Sequence, residues 1–353
     1  MANTLEKLAF EATQVARIGW YFGHKALVAR LTKPAPAPHL RGRTVPDRQR
    51  LIADLWQLVE RDWRNIEAGI YAPPEDGRGN PFDGLRRAAD FFADLRDVET
   101  RRHGTAADVL LRDEAERYPR YYRRMFHFQS DGYLSEASAE RYDYQVEVLF
   151  GGGASLMRRQ ALVPLRAALR HYPDGAATAR LLDIGCGTGS FLREVKRNFP
   201  RLAVTGLDLS EPYLAVAERR LADWSRVALI PGAAEAIPFP DNEFEIVSCI
   251  YLFHELPPVV RRAVVDEIRR VLKPGGTLIV ADSLQTGDEP AYDAVLDYFP
   301  IAFHEPYYPS YLSEDLDRLF SPGFTLEERS LAYFSKVLSY RCDGLPPASR
   351  NTW

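Results

Sequence analysis

A chain of 353 residues, 46% hydrophobic and 27% charged, has ordinary globular composition and enough apolar length for one large domain or two modest ones. Its formal net charge is −4, and basic and acidic residues balance over residues 1–150, so the basic excess of a nucleic-acid binder is missing and no nucleic-acid partner is expected. Cys186, Cys249 and Cys342 lack the paired spacing of a zinc site or a disulfide framework, which predicts no metal and fits a reducing compartment.

The opening stretch, MANTLEKLAF, carries Glu6 ahead of any uninterrupted apolar core, so no secretory leader is expected and the cytoplasm is the natural location. Leu5, Leu8, Ala12, Val15, Ile18, Phe22 and Ala26 recur at steps of three and four, predicting an amphipathic helix that ends before the Pro-rich linker TKPAPAPHL. Near its end, IGWYFGHK sets Trp20, Tyr21, Lys25 and Arg30 together. Residues 1–31 therefore either touch a membrane surface peripherally, or lay their apolar face on the rest of the chain or on a second copy in a homodimer. Asp47 caps a second helix bearing Leu51, Leu55, Leu58, Trp63 and Ile66, which stops before APPEDGRGNPFDG. A third helix is expected over about Leu85–Val98 and a fourth over about Ala106–Tyr118, ended by Pro119. Residues 1–150 thus read as a helical region for substrate or partner contact, and 151–353 as a second domain.

From Arg180 the texture changes. RLLDIG, AVTGLDLS, RVALIPG, FEIVSCIYL and GTLIVADS are strand candidates, separated by amphipathic stretches near Phe191–Phe199, Pro212–Trp224 and Val259–Leu272. That alternation predicts an α/β, doubly wound, mostly parallel sheet covered on both faces; FTLEERSLAY and SKVLSYRC add an edge hairpin and bring it to seven strands. In FPDNEF, Asp241 and Asn242 form the turn into the fourth strand.

The first strand runs into LLDIGCGTGSF, where Gly185, Gly187 and Gly189 bare the main chain at the point where it turns toward a helix. A ligand can lie there against N–H groups without meeting a Cβ. A nicotinamide dinucleotide calls for Gly-x-Gly-x-x-Gly; this chain has Gly-x-Gly-x-Gly, with Asp183 ahead of it.

That pattern resembles motif I of the class I S-adenosylmethionine-dependent methyltransferases, and four later stretches agree in order: VTGLDLS, PGAAEAIPFPDNEFEIV, SCIYLFHEL and RVLKPGGTLIVADS. The resemblance covers about Arg180–Ser283 and implies a Rossmann-like fold and S-adenosyl-L-methionine as cofactor. It implies that Asp183, Gly185, Cys186, Gly187 and Gly189 border the amino-acid portion, and that Asp208, beside Leu209, accepts both ribose hydroxyls. Ala233, Ala234 and Glu235 would lie nearest the adenine, the stretch Ser248–Tyr251 with Ile250 at the methionine end, and Tyr142 as an aromatic lid. The family often has an acidic residue where this chain has Ala233, so the contact to the purine amino group must come from elsewhere; Glu235 is either that contact or a solvated loop charge. Rival readings are a non-catalytic scaffold that keeps the cofactor fold, and a nicotinamide-dependent oxidoreductase, which the glycine spacing disfavours.

Methyl transfer from a sulfonium needs alignment, exclusion of water and, for a protonated acceptor, a base. His254, just past the fourth strand, is the candidate base, or else a packed residue opening a helix. His127, Asp131, Tyr133 and Tyr142 in the aromatic segment before motif I, Tyr251, and His304, Tyr307 and Tyr308 in FHEPYYPSY are candidates to face the acceptor. Their aromatic character points to an acceptor with hydrophobic bulk, such as a lipid, quinone, polyketide or aromatic metabolite.

Overall fold

The computed structural model describes residues 4–33, 45–75, 81–103, 117–129, 132–172 and 174–343, and divides into two compact units, residues 1–160 with 290–305, and residues 161–289 with 306–353. The greater part of the Pro-rich linker, all but the end of the expected fourth helix, and Asp131 lie outside the described residues.

The first unit is helical: α1 (Thr4–Leu31), α2 (Arg48–Glu67), α3 (Pro81–His103), α4 (Glu136–Leu149), α5 (Ala154–Arg159) and, from the later segment, α10 (Asp293–Phe303). Asp47 caps α2, its Oδ1 accepting the Arg50 N–H at 2.7 Å. The helix buries Leu55, Leu58, Trp63 and Ile66 as expected, and Trp63 meets the Phe10 ring at 5.4 Å. Asp62 is buried beneath it, held by the Arg159 guanidinium at 2.7 Å and by the Tyr71 hydroxyl at 2.7 Å. A pair so desolvated adds little net stability, but removing one partner would leave an uncompensated buried charge. Helix α3 runs four residues earlier and five later than its apolar periodicity predicts, since Pro81 suits a first turn.

The apolar stripe of helix α1 is divided: Leu5, Leu8 and Val15 are 69%, 56% and 56% exposed, Ile18 and Phe22 are half-buried, and the buried residues are Phe10 and Gln14. Specific pairing with α4 decides the facing. Arg17 meets Glu147 at 2.7 Å, and Trp20 Nε1 donates to the Tyr144 hydroxyl at 2.8 Å, so charge and aromatic complementarity outweigh the count of apolar side chains.

The second unit is built on seven strands: β1 (Arg180–Ile184), β2 (Ala203–Asp208), β3 (Val227–Pro231), β4 (Phe244–Ile250), β5 (Leu272–Ser283), β6 (Phe324–Ala332) and β7 (Ser335–Cys342). Their order is β3-β2-β1-β4-β5-β7-β6; the first five are mutually parallel, β7 is antiparallel to β5, and β6 closes the edge as the expected hairpin. β4 is buried along its whole length, the mark of a central strand covered on both faces. Amphipathic helices α6 (Leu162–Leu169), α7 (Ser190–Asn198), α8 (Glu211–Leu221) and α9 (Pro258–Val271) each bury one apolar stripe, and α11 (Tyr308–Leu312) and α12 (Leu316–Phe320) precede the hairpin. The strand order reverses between β1 and β4, so the ends of these two strands open the crevice where ligands bind in such sheets.

Candidate active site

The crevice begins at the end of β1. The amides of Gly185 and Cys186 both donate to the Leu207 carbonyl, at 2.8 and 3.1 Å, which folds the loop back over β2. At Gly189, φ is +73° and a Cβ would come within 3.0 Å of the Ala217 Cβ on α8, so α7 can begin this close to α8 only from a glycine. Gly187 is the opposite case: φ is +53°, and an added Cβ would meet only the Tyr213 ring, at 3.9 Å. The main chain there lies bare, a cradle that a side chain would fill.

Asp208 ends β2 and turns its carboxylate to this loop, with Oδ2 accepting the Gly187 N–H at 2.7 Å and Oδ1 the Ser210 N–H at 2.8 Å. Loss of solvent lifts its carboxyl from 3.8 to about 6, against the pull of those two N–H groups. Leu209 is half-buried beside it. The Gly232 amide donates to the Asp208 carbonyl at 2.9 Å, which brings the segment of Ala233, Ala234 and Glu235 next to the same strand end; Ala234 is buried and its two neighbours are half-buried. Asp183 lies under the loop, buried, its Oδ1 accepting the Ser248 hydroxyl at 2.6 Å and tying β1 to β4. Cys186 is buried and its thiol is pushed well up, chiefly by desolvation, so it is inert.

At the far side, β4 leaves through Ile250 into Tyr251, whose φ of +60° turns the chain sharply; its amide donates to the Ala281 carbonyl at 2.7 Å and its hydroxyl pairs with Ser335 Oγ at 2.7 Å. His254 follows in a short 3-10 turn. It is buried, and its Nδ1 lies 2.6 Å from Asp282 Oδ1 at the end of β5. Asp282 is fixed in turn by the amides of Phe253 and Ser283, at 2.8 and 2.7 Å. A carboxylate on Nδ1 holds the tautomer that carries its proton there and leaves Nε2 as the basic atom. Around the imidazole stand Tyr308 at 5.7 Å, Tyr311 at 6.1 Å and Tyr251 at 6.5 Å, all edge-on.

Gly185–Gly189, Asp208, Ala233–Glu235, Tyr251 and His254 thus all belong to the second unit, as does Tyr307, whose carbonyl accepts from Arg261 at 3.0 Å. His127, Tyr133, Tyr142 and His304 belong to the first. There the rings of His127, Tyr133 and Tyr142 lie 6.0 Å apart in each pairing, His127 Nδ1 is 3.0 Å from Glu305 Oε1, and His304 stacks near Phe128 at 5.2 Å. Asp282 and Tyr311 escaped the sequence reading; the position of Asp282 at the carboxyl end of a parallel strand was the signal available for it.

A family model described as a methyltransferase domain matches residues 181–276, the stretch from β1 into β5. Over 151 residues the chain is 34% identical to a demethylmenaquinone methyltransferase of Thermotoga maritima, covering 43% of this chain and 60% of that protein, so it spans less than two thirds of that relative's length. It is 30% identical over 217 residues to the ubiquinone/menaquinone biosynthesis C-methyltransferase UbiE of Methylobacterium nodulans, covering 57% of this chain and 82% of the relative. A solved SAM-dependent methyltransferase from Aquifex aeolicus aligns over 52% of this chain and 92% of its own at 18% identity, with a TM-score of 0.38. Kinship over most of a relative's length, on the sheet order and bare glycine loop described above, is decisive: the chain belongs to the class I S-adenosylmethionine-dependent methyltransferases, and its cofactor is S-adenosylmethionine.

Proposed function

We propose that this protein transfers the cofactor's methyl group to a ring carbon of a hydroquinone that carries an apolar tail. The observation that carries the proposal is the pairing of a bare glycine loop at β1, held against Asp208, with a buried His254–Asp282 couple at the ends of β4 and β5. In this reading the bare main chain of residues 185–189 would border the amino-acid portion of the cofactor, Asp208 would accept both ribose hydroxyls, and the segment 233–235 would border the adenine. The bound cofactor supplies an electrophilic methyl on a leaving group that needs no protonation. His254 Nε2 would take the proton of the phenolic hydroxyl, which makes the adjacent ring carbon nucleophilic; Asp282 would stabilise the imidazolium, and after transfer the methylated carbon would give up its own proton to solvent while the imidazolium returns the first proton to the ring oxygen, restoring the aromatic ring and the neutral base. The quinone class rests on what the two relatives act on by name. The test is to mix the full chain with methyl-labelled cofactor and a reduced, prenylated naphthoquinone. Label on a ring carbon is expected. Cofactor binding with no label in any quinol would instead favour a scaffold.

An apolar acceptor is drawn from a membrane, and α1 is equipped to reach one from the cytoplasmic side. Its outward face carries Leu5, Leu8, Val15, Leu27 and Leu31, with Lys7 and Arg30 on the same helix. Among the described residues no helix is long and apolar enough to cross a membrane. Leu8→Glu with Val15→Glu is expected to lower the partition onto anionic vesicles by about tenfold or more in a cosedimentation assay, with melting unchanged, since each leucine-sized side chain buried contributes about 1.5–3 kcal/mol. A parent chain that ignores vesicles and sediments as a dimer would assign the same face to a second copy.

A further inference from the structure

The first unit contains a cavity of about 380 Å³ whose lining includes His127 and Tyr142, two of the side chains expected to face the acceptor. It lies among α1, α3, α4 and α10, and its walls include Val28, Leu95, Val98, Val146, Leu149 and Phe303, every one of them half-buried though each lies where helices meet. Close-packed interiors leave few voids larger than a water molecule, and a space of this size falls in the range of small-molecule sites, about 300–1,000 Å³. Filled with solvent it would hold about a dozen waters at about 30 Å³ each, and walls of valine and leucine give those waters few partners.

The polar minority has a definite sign. Lys25, Lys33 and Arg102 line the cavity against one carboxylate, Asp94. Lys25 Nζ donates to the Leu149 carbonyl at 2.8 Å, and the Arg102 guanidinium lies 5.5 Å over the Phe128 ring and 3.5 Å from Glu99, so both cations are held at the wall rather than waving in solvent. Tyr142 and Gln145 add hydrogen-bonding capacity, with Gln145 Oε1 already accepting from Gln129 at 2.7 Å. Apolar walls with a cationic margin match one ligand chemistry: a branched or straight hydrocarbon chain ending in an electron-rich oxygen head.

We infer that this cavity binds the hydrocarbon chain of an amphiphile, a prenyl or acyl tail, with its oxygen head toward the Lys25, Lys33 and Arg102 side chains. The site is built wholly within the first unit, and it stands whether or not the same molecule accepts the methyl group.

Two homologous series test it on the full-length chain by titration calorimetry, alkyl naphthoquinones and alkanoic acids, each with six to sixteen carbons in the tail, lengths spanning about one to three prenyl units at the cavity's scale. Affinity is expected to rise about fourfold per added methylene and then level off when the cavity is full. Val146→Trp on α4 and, independently, Val28→Trp on α1 fill the space from two helices, and each is expected to weaken the best ligand at least tenfold, with cofactor affinity within twofold of the parent. Tighter binding by the quinones assigns the tail to an acceptor-like molecule, and tighter binding by the acids to a membrane lipid or free fatty acid; either result supports the site. Affinity that is flat with tail length, or that survives both substitutions in folded variants, overturns it. Tail binding by a chain that takes up no cofactor would remove the methyl-transfer proposal and leave this one standing.

Discussion

Asp208→Asn is expected to weaken cofactor binding by about two orders of magnitude or more while the chain stays folded. The proposed role is to accept two ribose hydroxyls on one carboxylate, and hydrogen bonds to a charged group contribute about 1.5–3 kcal/mol each. An amide keeps one acceptor oxygen, so the N–H groups of Gly187 and Ser210 do not both lose their partner, and the desolvation that lifts the parent's carboxyl to about 6 no longer applies. The same lifted value predicts a pH dependence. At pH 5 about nine in ten molecules would carry the neutral acid, so cofactor affinity should fall about tenfold per unit below pH 6, and the Asn variant should show no such slope. The sign of the stability effect separates this from acid unfolding. A carboxyl that binds its proton more tightly in the folded chain than in the unfolded one contributes stability that is complete below about 3.8 and lost as the pH rises through about 6. Acidification therefore weakens binding through this residue without unfolding the chain through it. Equilibrium dialysis from pH 5 to 8 reads both effects; a variant that binds like its parent would remove Asp208 from the ribose.

Much of the second unit was legible because its signals are local. Leu181–Ile184 is an apolar run that stops on glycine, and Phe244–Ile250 is apolar enough to be buried on both faces. Asp208 could be found because it sits at a strand end a fixed distance past the glycines. What stayed hidden depends on register. Asp282 meets His254 because Ile250 pairs with Ala281 across β4 and β5, and no pattern in either strand announces that alignment. For helix α1 periodicity left two outcomes open, a face toward a membrane or a face packed on the chain or a second copy, because which residues turn inward is set by Glu147 and Tyr144, more than a hundred residues later in the chain. The cavity of the first unit was equally silent, since four helices far apart in sequence supply its walls and one of them, α10, lies between β5 and β6.

His254→Gln is expected to lower kcat for methyl transfer by about two to four orders of magnitude, the usual contribution of a positioned acid or base, with cofactor affinity unchanged. The imidazole is neither exposed nor adrift: Asp282 holds Nδ1 at 2.6 Å, and two backbone amides hold Asp282. A structural role and a role as base differ in how the variant answers to pH. If Nε2 removes the hydroxyl proton, the Gln variant should recover rate as the pH climbs toward the ordinary phenol value of about 10, where the acceptor ionises unaided, and the parent should level off far earlier. Asp282→Asn should lose rate too, by favouring the wrong tautomer, but it should also lower the melting temperature because Asp282 anchors the amides of Phe253 and Ser283. A Gln variant with undiminished kcat, or one whose loss is the same at every pH, would return His254 to the packing of Tyr308 and Tyr311 and leave proton removal to another group.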